Sequence, residues 1–408
     1  MSAGDPKTSD LRPGAAVAAS SAAGASACAS IQVGASWQEA TNAVLDTLDL
    51  VEPDLAVVFV DSHFTAHYGD ILERIGDATD AKYVIGCSGQ AVIGPGLEAE
   101  GQAAISVMVF QLPGVTLTPL ALLPGANPDE VFDAIEAAQA TAWLVFADPV
   151  GTHTEQLIAA IQARAPQTPV LGGIASAVGD GSATAVFLGE RAYPHGAVLL
   201  GISGDIEVHT LVAQGAEPIG EAWTVTDCES NVVKTIGSRP AVEVLQESLN
   251  ALDQETRERA QRNLPVGLAI DEYRDEFGRG DYLIRNIMGF DEQTGAIAIN
   301  ARPRIGQTIQ FQFRDATAAD EDLVTQLAAY KTSIEPDQVV LGALLFACNG
   351  RGRSLFRSPN HDAQALTDAL GPVPTAGLFC NGEIGPVGGE AFLHGFTASI
   401  AFLTAQSK

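Results

Sequence analysis

No apolar run in this chain of 408 residues reaches the roughly 18 residues needed to cross a bilayer. Glycine, proline or charge interrupts every candidate, so the composition predicts a soluble protein with no membrane insertion. Basic residues are scarce: 22 Lys and Arg stand against 50 Asp and Glu, a formal net charge of −28. That surplus repels nucleic acid and anionic membranes and argues against both as partners. Only five cysteines are present. They form no CxxC pair, no disulfide framework and no zinc spacing, which predicts reduced thiols in a cytoplasmic protein with no metal. There is no GxxxxGK[ST], no HExxH and no EF-hand loop. Gly94, Gly96 and Ala99 satisfy GxGxxA on paper, yet they precede a strand near Ile105 rather than opening a helix, so no dinucleotide site is expected. Residues 1–26 read as a flexible tail and not a signal sequence, because Asp5 and Asp10 balance Lys7 and Arg12 and no leucine-rich core follows. A lipobox-like reading ending at Cys28 is the weaker one, with Ala25 where a leucine is expected.

What the chain does have is a large apolar fraction, 46% hydrophobic against 18% charged, ample for a sizeable core. It also repeats. Residues 55–61 (LAVVFVD), a helix near 71–75, 83–89 (YVIGCSG) and 103–110 (AAISVMVF) form one strand, helix, strand, strand unit. Residues 142–148, a helix near 155–163, 169–175 and 197–202 form a second, and 340–348, a helix over 362–370, 377–382 and 396–403 a third. A degraded fourth is expected from 266–270, 282–288 and 309–313, its helix short or missing. Cys87, Gly173, Met288 and Cys380 then stand at equivalent strand ends. Strands this apolar need both sheet faces covered. The predicted class is therefore α/β, mixed α+β: βαββ units in mixed sheets flanked by helices, sandwich-like with four layers, in two similar halves. The division is a part over 27–222 and a part over 223–408, the latter including a helical linker over 238–263. In the linker Pro240 opens one helix through Leu249 and Asp253 caps another to Arg262. A crevice between the halves is the expected pocket.

Two glycine turns carry the most chemistry. CNGRG (348–352) and CNGEIG (380–385) each combine an Asn amide, exposed backbone N–H groups and a charge. Arg351 suits a carboxylate and Glu383 an amino group, so together they are expected to hold both ends of an amino acid, although tight connections also need glycine for its own sake. The arginines cluster in the last third, at 274, 279, 285, 302, 304, 314, 351, 353 and 357. For most of them pairing with surplus Asp and Glu is the plainer account. Cys380 with His394, and Asn381 as an oxyanion donor, is the constellation an enzyme would use. A buried thiol is the commoner reading, and no catalytic residue is assigned. His63 and His67 share a face if their segment is helical and could hold a metal or haem, or be two surface histidines.

The runs RGDYLIRNIMGFDEQTGAIAI from Arg279, QTIQFQFRDA from Gln307, FACNGRG from Phe346 and FCNGEIGPVGGEAFLHGFTASI from Phe379 resemble the C-terminal part of FIST domain proteins. VIGCSGQAVIG from Val84, with Glu100, Gly101 and Gln102, resembles the N-terminal part. The likeness extends from about residue 27 to 403. It implies a sensory, ligand-binding module of intracellular signal transduction, with amino acids among the ligands, F-box proteins among eukaryotic members, and haem in one branch. Family members often join the module to a kinase or cyclase; no such segment remains here, so output is expected through a separate signalling protein or a homo-oligomer interface. The candidate ligand-binding set is Cys87, Ser88, Arg285, Asn349, Arg351, Cys380, Asn381, Glu383 and His394. The expected function is recognition of an amino acid or similar metabolite between two FIST halves, without enzyme activity or an obligatory cofactor. The alternatives are a haem-binding gas sensor and a scaffold or adaptor that binds only proteins.

Overall fold

Three of the four sheets in the computed structural model share one strand order, and the model describes residues 15–406 apart from 23, 50–51, 180–182, 262 and 275. Each of these sheets is built by one module with the same course: an outer strand, a helix, a central strand, a second helix, a strand parallel to the central one, a hairpin, and a return strand. The return strand inserts between the outer and central strands. In the first module these are Ala25–Val33, Trp37–Leu45, Leu55–Asp61, Tyr68–Thr79, Tyr83–Gly89, the hairpin Val92–Gly94 with Leu97–Glu98, and Ala104–Gln111. The second runs Val115–Leu122, Pro128–Ala138, Ala142–Ala147, Thr154–Arg164, Val170–Ile174, Val186–Leu188 with Arg191–Tyr193, and Ala197–Gly204. The third runs Glu207–Ala213, Ala316–Ser333, Gln338–Cys348, His361–Leu370, Thr375–Cys380, Glu383–Val387 with Glu390–His394, and Ala398–Gln406. Central and parallel strands pair in parallel while return strands run antiparallel, as the mixed α/β class requires.

The hairpins do not stay at home. The first module's hairpin pairs with Thr375–Cys380 of the third, the third's with Val170–Ile174 of the second, and the second's with Tyr83–Gly89 of the first. The three sheets thus surround one pseudo-threefold axis, and each completes its neighbour's edge. Phe59, Phe146 and Phe346, all fully buried, meet on that axis with ring centroids 5.6, 6.0 and 6.2 Å apart. Burying each contributes about 1.5–3 kcal/mol.

The equivalence of the modules is fixed by three glycines. A Cβ on Gly86, Gly172 or Gly377 would stand 1.8, 1.9 or 1.9 Å from the carbonyl oxygen of Val58, Val145 or Leu345 on the neighbouring central strand. Only glycine fits there. Counting from these, Cys87 corresponds to Gly173 and Leu378, so Cys380, two residues further on, does not share the place of Cys87 that sequence alignment suggests. The small-residue turn had been matched by composition, whereas backbone contact sets the register.

The expected fourth unit is something else. Pro265–Ala269, Tyr282–Phe290 and Thr308–Arg314 join Trp223–Glu229, Val232–Ile236 and Ile297–Ile299 in an all-antiparallel sheet that closes on itself, because Thr308–Arg314 pairs with both Trp223–Glu229 and Pro265–Ala269. This six-stranded barrel is inserted between the outer strand and first helix of the third module. Met288 lies in it, on strand Tyr282–Phe290, and not at the end of a module strand. Two modules precede the barrel and the third surrounds it in sequence. Helix Ala241–Asn250 follows Pro240, and helix Gln254–Ala260 is capped by Asp253, whose carboxylate accepts the Thr256 N–H at 3.0 Å; the expected end at Arg262 lies outside the described residues. Of the expected tail, residues 1–14 are likewise outside them, while Ala15–Ala22 forms a strand paired with Ala25–Val33. Small and β-tolerant side chains let an Ala/Ser run serve as a sheet edge. Among the described residues, no helix is long and apolar enough to cross a membrane.

Candidate functional site

The two CNG turns meet. Cys348 and Cys380 end neighbouring parallel strands in register, the Asn349 N–H donates to the Cys380 carbonyl at 3.1 Å, and Asn349 Nδ2 donates to Asn381 Oδ1 at 2.8 Å. Asn381 ties this point to the second module by donating from its amide to the Ala175 carbonyl at 3.0 Å. Cys348, Asn349 and Gly350 are half-buried and Asn381 is exposed, and they border a buried charged layer.

That layer contains Arg351, Glu383 and a residue the motifs did not single out, Arg314. Arg351 is fully buried and gives Nε and Nη2 to Asp362 at 2.6 and 2.8 Å. Burial alone would lower its basicity, but Asp362 beside it raises it instead; burial alone would raise Asp362, and the guanidinium holds it well below the usual carboxylate range. The arm of Arg351 is therefore spent on a structural pair, and only Nη1 has no acceptor among the described residues. Glu383, also fully buried, accepts from the Thr397 N–H and hydroxyl at 2.9 and 2.8 Å and from Cys380 Sγ at 3.5 Å. Burial raises its pKa to about 7, less than it otherwise would because Thr397 donates to it.

Arg314 ends barrel strand Thr308–Arg314 and is 2% exposed. Its Nη2 donates to the Gln214 carbonyl at 2.9 Å, while Nε and Nη1 find no acceptor among the described residues. Burial, and next the nearby charge of Arg351, depress its pKa to about 10. The ring of Phe396 covers the guanidinium at 4.7 Å, held at a left-handed φ of 64° after Gly395. A sequence signal for Arg314 existed: IQFQFR alternates, whereas the module strands are apolar on both faces, and the polar side, Gln310, Gln312 and Arg314, is buried.

The same place in the other modules looks different. Two residues beyond the axial phenylalanines stand Asp61, Asp148 and Cys348. Asp148 accepts from the N–H groups of Val150, Gly151 and Gly196 and from the Thr152 hydroxyl, at 2.5–2.9 Å. Asp61 accepts from the His63 N–H at 2.8 Å. Cys348 replaces them, and the carboxylate at this pole comes instead from Glu383, which occupies the hairpin position of the core residues Val92 and Val186.

The other expected site residues are elsewhere. Cys87 lies in the central apolar core, and Ser88 donates to the Ser176 carbonyl at 3.1 Å and accepts from the Ala185 N–H. His394 bonds the Gly385 carbonyl at 2.9 Å through Nε2 rather than Cys380, whose thiol donates to the Ala347 carbonyl and Glu383. Burial and then the charge of Arg285 lower its pKa to about 4. Burial pushes the Cys348 thiol up to about 12 and Cys380 well above its ordinary value, with Glu383 adding to both, so little thiolate forms at neutral pH. His63 and His67 sit on a 3-10 turn, engaged by Asp61 and Asp70. Among the described residues, no three metal-ligating side chains cluster. Arg285 lies in a crevice between the barrel and the second module.

Known proteins share this chain's pattern over most of its length. Residues 54–239 match the FIST N domain and residues 241–386 the FIST C domain. An uncharacterized protein of Mycobacterium tuberculosis strain H37Rv is 35% identical over 357 residues, 86% of this chain and 91% of that protein. An uncharacterized Mycobacterium bovis protein is 33% identical over 371 residues, 89% and 94% of the two chains. An F-box/LRR-repeat protein of Arabidopsis thaliana is 31% identical over 106 residues, 25% of this chain and 20% of that one. The boundary between the two matches falls inside the barrel, so strands Trp223–Glu229 and Val232–Ile236 belong to the first match and the remaining four to the second.

Proposed function

This chain belongs to the FIST family, and from that premise we propose that it is a sensory protein holding a small carboxylate-bearing metabolite, an amino acid or a near relative, where the two CNG turns meet beneath Arg314. FIST domains are associated with sensory signal transduction. The observation that carries the reading is the buried guanidinium of Arg314, whose Nε and Nη1 have no acceptor among the described residues. A buried guanidinium with two idle N–H groups costs several kcal/mol that a carboxylate would recover. Nε and Nη1 of Arg314 lie on different edges of the guanidinium and each offers a single donor, Arg351 Nη1 offers a third, and Glu383 in its ionised form offers a partner for an ammonium group. Ligand entry displaces Phe396 and joins a barrel residue to a module residue, which is a route from occupancy to a change in barrel docking. The output then goes to a separate cytoplasmic signalling protein. In this reading no covalent chemistry is performed and no cofactor is needed; the protonated, buried thiols support that.

Titration calorimetry across the amino acids and small dicarboxylates tests it. At least one should bind the wild type, and Arg314→Gln should weaken it at least tenfold, about 1.4 kcal/mol. An indifferent wild type, or unchanged binding to the variant, sinks the reading. A scaffold or adaptor is the second reading, favoured by Tyr273, Met288, Phe290 and Ile305 of the barrel region, 54–97% exposed.

A further inference from the structure

Strand Tyr282–Phe290 turns one face to the barrel interior. Tyr282 and Ile284 lie on the other face, in a small cluster with Ala216 and Ala269, so Leu283 and Arg285 share the inner side. Their register partners are Leu268 and Val266, both in the barrel's apolar core. Arg285 thus places a cation on a wall otherwise made of aliphatic side chains, at the barrel's mouth. Its side chain is only 11% exposed. Nη1 donates to the Leu393 carbonyl at 3.0 Å and more weakly to Ile284 at 3.3 Å. Its ion pair with Glu155 spans 3.9 Å, beyond hydrogen-bonding reach, and Glu155 is itself 70% exposed. Burial lowers the basicity of this arginine, with Glu155 offsetting only part.

The mouth opens into a crevice of about 680 Å³, walled by the barrel on one side and by helix Thr154–Arg164 of the second module on the other. That volume is within the range of small-molecule sites. Leu268, Leu283 and Ile299 make an apolar wall beside the guanidinium. Among the charged lining residues, Arg285 and Arg302 against Glu155 leave one positive charge over. We infer that this crevice is a second ligand site, for an amphipathic monocarboxylate whose head is gripped by Arg285 and whose aliphatic part lies along Leu268, Leu283 and Ile299. The head would complete the hydrogen bonds that Glu155 is too distant to make, and the tail would cover the half-buried Leu283 and the exposed Met288 of the same lining, Leu268 and Ile299 being already buried. The site is distinct from the one at Arg314: the two arginines stand on different barrel strands, and although both reach the third module, Arg285 through the Leu393 carbonyl and Arg314 under Phe396, only the Arg285 crevice is walled by helix Thr154–Arg164.

Octanoate is the probe, with octanol and octylamine as controls, measured by titration calorimetry on the full chain. The wild type should bind octanoate at least tenfold more tightly than either control. Arg285→Gln should lose at least tenfold in octanoate affinity with an unchanged thermal midpoint, whereas Arg314→Gln should bind octanoate as the wild type does. Failure of the wild type to bind, equal binding by Arg285→Gln, or loss in Arg314→Gln alone each overturns the inference. Should Arg285→Gln not fold, Glu155→Gln serves: it removes the rim's negative charge and should tighten octanoate at least twofold, and unchanged affinity would count against the site. Because calorimetry with amino acids reads the Arg314 site, failure of one proposal is distinguishable from failure of the other.

Discussion

The pole of the second module and the pole of the third occupy the same place on the same scaffold, yet one is closed and the other is left unfinished. At the second, Asp148 gathers four donors and leaves neither oxygen idle. At the third, a thiol replaces that carboxylate, an acid replaces a core valine, and the barrel brings in a guanidinium with two N–H groups unused. Approximate symmetry makes the departure visible without any alignment of relatives. The second module closes the position, the first leaves Asp61 Oδ2 without a partner among the described residues, and the third leaves two guanidinium nitrogens idle, so the costliest solution marks the place to look for function.

Three experiments break or sharpen that contrast. The largest effect should come from what the modules share. Gly172→Ala, like Gly86→Ala or Gly377→Ala, forces a Cβ into a carbonyl oxygen and should cost more than about 4 kcal/mol or prevent folding, read from urea unfolding. A mild cost at any one of the three would show that the modules are not built alike. Next comes the closed pole: Asp148→Ala strands four donors and should cost about 3 kcal/mol, while Cys348→Ala at the corresponding position should cost about 1 kcal/mol. Equal costs would remove the distinction between the poles.

The smallest effect is a slope with pH. Glu383 is raised in the folded state from 4.5 to about 7, so between those values the folded protein holds more protons than the unfolded chain. Its contribution to stability must therefore fall as pH rises through that window, by at most about 1.4 kcal/mol per pH unit and about 3 kcal/mol in total, and Glu383→Gln should flatten the decline. Glu98 is raised by burial and by Asp362, and its slope has the same sign, so the Gln variant leaves part of the decline in place. Denaturation midpoints that rise with pH in the wild type relative to Glu383→Gln would contradict the assignment.

Much of the scaffold is legible in the chain itself. The central strands 55–61 and 142–147 and the parallel strand 83–89 stand out as short apolar or small-residue runs bounded by helix patterns, since burial on both sheet faces leaves no alternation to misread. Residues 266–313 were assimilated to the same pattern because three apolar strands in a row look like a module that has lost its helix. Only pairing reveals that they close into a barrel. Hairpin exchange is equally hidden, because a strand's local pattern carries no address for its partner. At the site, the CNG turns were found through glycine and asparagine chemistry, and their meeting follows from strands 348 and 380 being in register. Pairing with surplus acid is the plainer account for most of the late arginines, and nothing in the charge count separates Arg314 from them. Arg274 and Arg279 do pair with Asp281 and Glu217, but Arg314 has no such partner, and only its place on the buried side of an alternating strand sets it apart.

The exchanged hairpins also set a timetable for biosynthesis. A ribosome delivers the chain from its N-terminus, and the second module's sheet gains its last two strands only from residues 383–394. Until those residues emerge from the exit tunnel, strand Val170–Ile174 has a bare edge of unmet backbone groups, open to pairing with any nascent neighbour. Maturation of the second module is therefore held back to the close of translation, whereas the first, whose edge is met by residues 186–193, is complete by mid-chain.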